Sequence, residues 1–201
     1  MFHFATRQVI RMVYSGLYLL SDLFELTDLS LERTQIGDAG MAHLQNLQKL
    51  EWLNLYQTRI GDEGLRHLSR LKSLQHLPAG ETRVTDAGMI HLERLTDLRY
   101  LGLRGTRITD DGLSHLGSLT NLTALFLGET RISSQGMLHL KPLRDLQQLW
   151  IQKTQVDDDC VPILSSFRKL RQLHVFDTKI TDEGMKKLRQ VLPKCEIHLR
   201  E

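Results

Sequence analysis

Histidine recurs along this chain at one fixed interval. His43, His67, His91, His115 and His139 lie 24 residues apart, and imidazoles are common ligands of zinc and copper. Metal sites, however, gather mixed ligands at local spacing, whereas a uniform column is what a repeated element leaves behind. The column, which ends at Ile163 and Lys187, is therefore read as polar rings on the rim of a row of helices, with no metal and no cofactor. Arginine forms a second column: Arg59, Arg83, Arg107 and Arg131, then Gln155 and Lys179. It could hold phosphates or an acidic partner. Asp62, Asp86 and Asp110 follow three residues behind, so the edge is read as internally compensated, each exposed pair contributing little.

The remaining candidates for chemistry are weaker. Cys160 and Cys195 lie in different repeats and make no disulfide framework. Asp157-Asp158-Asp159 lacks calcium-loop spacing and reads as a helix start. Asn121-Leu122-Thr123 is a formal glycosylation sequon whose meaning depends on secretion. No glycine-rich phosphate loop, G-x-S-x-G, H-E-x-x-H or C-x-x-C is present, so the chain is not expected to be an enzyme. Lys and Arg number 26 against 24 Asp and Glu, a balance that argues against general polyanion binding. Nucleic acid and membrane are not expected partners.

The elements that position these columns follow from the same interval. Rows one to seven begin at Leu26, Leu50, Leu74, Leu98, Leu122, Leu146 and Leu170, with no insertion. Each opens L-x-x-L-x-L, apart from Ala79, Ile151 and Val175 in the third place. Alternation of this kind is a strand with one buried face. A period in this range marks a solenoid whose repeats touch only their neighbours. Threonine follows in every row, from Thr34 to Thr178. Its apolar surroundings point it inward, where a hydroxyl needs a partner, expected here to be backbone of adjacent turns. After an Ile or Val comes an acidic or hydroxyl residue, Asp38 to Asp182 with Ser134 in row five, expected to cap a helix. Apolar residues at three-residue steps (Met41, Leu44, Leu47 in row one) mark that helix. Glycine recurs in its first turn, which suggests close contact with the turn below; row six has Cys160 instead, followed by Pro162.

The fold expected is an α/β leucine-rich-repeat solenoid, a right-handed horseshoe. Its parallel sheet is concave and its helices convex, because helix axes need about 8–10 Å and strands about 4.8 Å. Residues 1–25 read as a degenerate repeat or cap, with a helix over 15–25 that places Leu17, Leu20 and Leu23 in the helix columns. Residues 26–193 form the seven rows, and 194–201 a terminal partial strand with Ile197 and Leu199 in leucine columns. The apolar run Met12–Leu20 has no cleavage site after it and is too short to span a bilayer, so a cytoplasmic location is expected.

The rows, LxxLxLxxT-x-I/V-T/G-D-x-G-L/M-x-H-L, resemble the leucine-rich-repeat superfamily in its ribonuclease-inhibitor-like branch. They look closest to the cysteine-containing repeats of F-box adaptors, with Thr in the Cys position, a form similar to bacterial repeat proteins. The resemblance covers Leu26–Glu201 and implies a protein-interaction scaffold. No F-box-like helical domain is visible in residues 1–25 of this sequence, so an adaptor role is not carried over.

Side chains between the leucines have no part in the repeat. After residue 25 the chain has seven Phe, Tyr and Trp residues, and six of them (Trp52, Tyr56, Tyr100, Phe126, Trp150, Phe176) fall on these open positions. With His76, Arg104 and His174 they make the expected partner-binding face, because exposed apolar patches mark interaction sites and aromatics carry binding energy. Cross-strand packing among the rings is the alternative. In row three, Pro78, Ala79 and Gly80 break the pattern. A bulge is expected there, with a hollow floored by Gly80, Gly102, Gly105 and Gly128 and walled by Trp52, Tyr56, Tyr100 and Phe126. The expected function is non-catalytic binding of a protein by a monomer or weak homo-oligomer. The competing readings are self-assembly through the strand Lys194–Glu201 and a recognition part of a larger regulatory complex.

Overall fold

The computed structural model describes residues 17–200. Eight three-residue strands form one parallel sheet in chain order: β1 (Asp28–Ser30), β2 (Trp52–Asn54), β3 (His76–Pro78), β4 (Tyr100–Gly102), β5 (Ala124–Phe126), β6 (Gln148–Trp150), β7 (Gln172–His174) and β8 (Glu196–His198). Register holds at one repeat throughout, as in Leu101 opposite Leu125 and Leu125 opposite Leu149. The leucine columns are sealed, with Leu53, Leu77, Leu101, Leu125 and Leu149 all at 0% exposure. One continuous apolar core runs from Leu17 to Leu192. The fold is the expected α/β repeat solenoid.

The convex elements are shorter than the sequence suggests. Most rows have a single α turn followed by a 3-10 turn, as in Asp86–Met89 then Ile90–Leu92. The reason lies in the apolar spacing. Met89, Leu92 and Leu95 step by three, the period at which 3-10 side chains align, and all three are fully buried. Longer helices occur at Asp62–Leu68 and Asp182–Val191. Near the N-terminus the expected helix over 15–25 is a 3-10 turn, Leu17–Leu20. Leu17 and Leu20 are buried as expected, but Leu23 stays 39% exposed. Residues 15 and 16, like the start of the run Met12–Leu20, lie outside the described residues.

The threonines bond within their own turn rather than to neighbouring turns. Thr58 Oγ1 donates to Leu55 O at 2.8 Å, and the same bond recurs at Thr82, Thr106, Thr130 and Thr154. This closes the tight turn that leaves each strand. The residue before each threonine takes a positive φ: Arg33, Gln57, Glu81, Glu129, Lys153 and Asp177 do so without being glycine, and Gly105 joins them.

The aspartates also differ from expectation. They reach into the next row instead of capping their own helix. Asp62, Asp86, Asp110 and Asp158 each accept both the backbone N–H and the hydroxyl of Thr85, Thr109, Ser133 and Thr181. Those hydroxyl residues are the N-caps. The glycine column follows from this clamp: a Cβ on Gly88 would sit 2.5 Å from Asp62 Oδ1.

Candidate protein-binding face

The concave face is built from side chains that alternate with the buried leucines on each strand. Rings occupy one position per strand from β3 to β8. His76 and Tyr100 are stacked at 6.5 Å, and Tyr100 meets Phe126 edge-on at 4.9 Å. Phe126 and Trp150 stack at 4.0 Å with planes 10° apart. The chain continues through His174 at 4.4 Å to His198 at 4.1 Å. Phe126, Trp150, His174 and His198 are directly opposite one another in the ladder. Tyr100 joins them diagonally, because its own opposite residue is Ala124 and its ring lies over Gly102, where a Cβ would come within 3.1 Å of the hydroxyl.

This packing leaves every ring half-buried. From Phe126 to His198 the ring faces are turned to one another, so a partner there would meet ring edges, which carry the positive part of the aromatic quadrupole. Burial pushes the Tyr100 hydroxyl up to about 12. Burial, with a smaller contribution from His198, holds the His174 imidazole below its ordinary value.

A hollow of about 190 Å³ opens beside the chain. Pro78, Gly80 and Gly102 line its floor, Tyr56, Tyr100, Phe126 and Trp150 its walls, and Arg104 its rim. Gly105, Gly128 and Trp52 are not part of it, contrary to expectation. Gln152 covers Gly128, where a Cβ would fall 2.5 Å from the amide carbon. The expected bulge at Pro78 is absent as well. Pro78 stays opposite Gly102, and its missing amide instead thins the ladder to β2, where Trp52 opposite His76 is the one registered pair. Register is kept because the amides on either side still bond: Leu55 N–H donates to Pro78 O at 2.7 Å, and Ala79 N–H to Gly102 O at 2.7 Å.

Polar side chains border the hollow on the rim of positive-φ residues. Tyr56 Oη donates to Glu81 Oε1 at 2.6 Å, and Gln57 Nε2 to Glu81 Oε2 at 2.7 Å. These bonds, Gln57's first, hold the Glu81 carboxyl below the usual range, and Glu81 in turn raises the Tyr56 hydroxyl. Arg104 Nη2 donates to Glu129 at 2.8 Å, with Lys153 Nζ 3.3 Å from the same oxygen. The Arg104 bond is the main reason that the Glu129 carboxyl lies low. Arg104 Nε and Trp150 Nε1 are buried donors without a hydrogen-bond partner.

Of the nine residues singled out in the sequence, His76, Tyr100, Phe126, Trp150 and His174 form the ring chain. Tyr56 and Arg104 border the hollow. Trp52 stands outside both, and Phe176 lies apart under Lys153 at 5.9 Å. Sequence reasoning overlooked His198, which ends the ring chain; its alignment with His174 and Trp150, one and two repeats back, was the available signal. Among the described residues no cluster of three or more His, Cys, Asp or Glu could hold a metal ion. His115 of the convex column meets Glu93 at 2.6 Å.

The family of leucine-rich repeat regions matches residues 8–201. The chain belongs to the leucine-rich-repeat family. Solved structures agree on the fold of this leucine-rich-repeat chain. Internalin C2 from Listeria monocytogenes superposes with a TM-score of 0.73 at 24% identity, over 96% of this chain and 78% of that one. An internalin, InlF, from the same organism gives 0.65 at 19% identity, over 94% and 68%. No curated protein matches in sequence. Family membership makes the chain a protein-interaction scaffold in general terms. No helix among the described residues is long and apolar enough to cross a membrane.

Proposed function

We propose that this leucine-rich-repeat chain is a non-catalytic scaffold that takes a protein partner on its concave strand face, with a partner side chain seated in the hollow between Tyr56, Tyr100 and Trp150. The observation that carries the reading is the ring on every strand from β3 to β8. The repeat closes its core without them, since the leucine columns beneath are fully buried. Cross-strand pairs stabilise a sheet by under about 1 kcal/mol each, and the unpartnered donors Arg104 Nε and Trp150 Nε1 gain nothing from that packing. We assign the repeats to the Thr form of the ribonuclease-inhibitor-like branch, and place the chain in a reducing compartment such as the cytoplasm on its two free thiols.

The test compares wild type with a Trp52→Ala/Tyr100→Ala/Trp150→Ala variant in affinity capture, after both are shown to melt alike. Loss of a retained protein by the folded variant supports the reading; equal retention removes the concave face from it. Self-assembly keeps one observation in its favour. β8 pairs with β7 alone in the sheet, and Leu199 beside it is 40% exposed. Concentration-dependent mass in light scattering, lost on deleting residues 194–201, would favour that reading.

A further inference from the structure

The arginine column was expected to be neutralised by the aspartates three residues behind it. The aspartates are committed elsewhere. Asp62 accepts from Thr85, Asp86 from Thr109 and Asp110 from Ser133, each with both oxygens. The acidic groups just before the column are engaged too, Glu81 by Tyr56 and Gln57, and Glu129 by Arg104 and Lys153. Among the described residues, the side chains of Arg59, Arg83, Arg107 and Arg131 are all exposed and make no ion pair or hydrogen bond.

The row is held on a rigid base. Arg59 N–H donates to Ile36 O, Arg83 to Ile60, Arg107 to Val84 and Arg131 to Ile108, at 2.8 to 3.1 Å. This second ladder runs parallel to the sheet and fixes the four Cα positions about one strand spacing apart, about 4.8 Å. Four unpaired like charges on a fixed base repel one another, and an opposite charge laid along them relieves that repulsion. The row spans three spacings, about 14 Å, which an extended chain covers in about four to five residues.

We propose that Arg59, Arg83, Arg107 and Arg131 form a docking edge for an extended acidic segment of a protein partner, lying across the strands along the rim. A polypeptide fits better than a polynucleotide. The ring faces from Phe126 to His198 are closed by one another, Phe126 against Trp150 at 4.0 Å and His174 against His198 at 4.1 Å, so these four rings offer bases no open stacking face. Glu81 and Glu129 stand two residues before Arg83 and Arg131 in the same rows, so negative charge borders the arginine row, which disfavours a continuous phosphate chain more than carboxylates placed one at a time. This edge is separate from the aromatic face and stands whether or not that face binds.

The experiment is fluorescence anisotropy with a labelled short oligoglutamate peptide and, in parallel, an oligothymidylate of matched charge, at low and high salt. Three variants are compared with wild type. The first is Arg59→Gln/Arg83→Gln/Arg107→Gln/Arg131→Gln. The second neutralises an equal number of exposed basic residues away from the rim, Arg70→Gln/Lys72→Gln/Arg94→Gln/Arg99→Gln. The third is the concave-face variant Trp52→Ala/Tyr100→Ala/Trp150→Ala. Wild type is expected to bind oligoglutamate in a salt-sensitive manner, and the rim variant to bind about tenfold more weakly, a change of about 1.4 kcal/mol. The other two are expected to stay within about twofold of wild type, an amount that small surface effects produce. All these rim and off-rim side chains are exposed, so unchanged melting is expected. Three outcomes would overturn the proposal: no binding of oligoglutamate by wild type, equal losses in the rim and off-rim variants, or tighter binding of oligothymidylate through the same arginines.

Discussion

Asp86 holds Thr109 across the boundary between rows three and four with both carboxylate oxygens. Oδ1 accepts the Thr109 backbone N–H at 2.7 Å and Oδ2 its hydroxyl at 2.7 Å. The same Oδ1 lies 3.1 Å from the Gly112 amide. One side chain thus ties a row to the N-cap of the next, and in a solenoid such nearest-neighbour ties add directly to stability.

Removing this tie should cost more than a surface aspartate normally does. Asp86→Ala leaves the Thr109 amide without its acceptor, and hydrogen bonds to charged groups contribute about 1.5–3 kcal/mol each. A loss of about 2 kcal/mol in urea unfolding is expected. Asp111→Ala is the comparison: it is exposed, its carboxylate makes no hydrogen bond, and a change under about 0.5 kcal/mol is expected. Similar losses in the two would contradict the clamp.

Glycine in the helix start gives a prediction whose sign propensity alone gets wrong. Replacing a helical glycine with alanine ordinarily stabilises by up to about 1 kcal/mol. At Gly88 the new Cβ would lie 2.5 Å from Asp62 Oδ1 and 3.1 Å from its Cα, so Gly88→Ala should destabilise by about 1–3 kcal/mol. At Gly117 the nearest atom would be His139 O at 3.6 Å, ordinary contact, and φ is −61°. Gly117→Ala should therefore stabilise by about 0.5 kcal/mol. Thermal melts of the two variants give opposite shifts if the clamp sets the glycine column.

These columns show what was legible in the sequence. A constant interval and a two-residue alternation define the solenoid, its sheet and its core, because burial repeats with the residues that need it. The Thr, Asp and Gly columns were visible, but their partners were not. Asp62 and Gly88 lie 26 residues apart and touch only after neighbouring rows stack. Pro78 was read as a bulge because a missing amide weakens a strand, yet the ladder on its β4 side keeps the register. The open-face rings were visible as a departure from the repeat. That the rings from Phe126 to His198 would lie face to face, with Tyr100 set edge-on to Phe126, depended on cross-strand distances that composition does not carry.

His174 makes the C-terminal rows sensitive to acid. It stacks between Trp150 and His198, with Glu196 the one carboxylate acting on it. Its folded-state pKa is depressed, so the unfolded chain takes up a proton first. Its contribution is present above the unfolded value of about 6.5 and is lost as pH falls from there through the folded value. Hydrogen exchange at Val175, whose amide donates to His198 O at 3.1 Å, should quicken on going from neutral pH to below about 6, beyond the intrinsic pH effect, and His174→Gln should remove that dependence.

Row six offers the sharpest test of how rows are coupled. It has Cys160 where its neighbours have glycine, and the row before it has Ser134 where its neighbours have aspartate. The clamp is inverted there: Ser134 Oγ donates to Asp157 Oδ1 at 2.6 Å and accepts the Asp157 N–H at 2.9 Å. A smaller side chain on row five leaves room for a Cβ on row six, and Cys160 is fully buried in that space. Ser134→Asp alone should then destabilise by about 3 kcal/mol, since it forces a carboxylate against both Cys160 and Asp157. Cys160→Gly alone should also destabilise, by about 1–2 kcal/mol, through lost burial and added backbone freedom. If the changes were independent, Ser134→Asp/Asp157→Thr/Cys160→Gly would be the least stable of the set. The triple variant instead rebuilds the arrangement of Asp110, Ser133 and Gly136 one row earlier. It should recover more than half of the loss caused by Ser134→Asp, an interaction energy of the size contacting residues show, about 0.5–3 kcal/mol. Additive losses in urea unfolding would mean that the glycine column is set by something other than the aspartate of the preceding row.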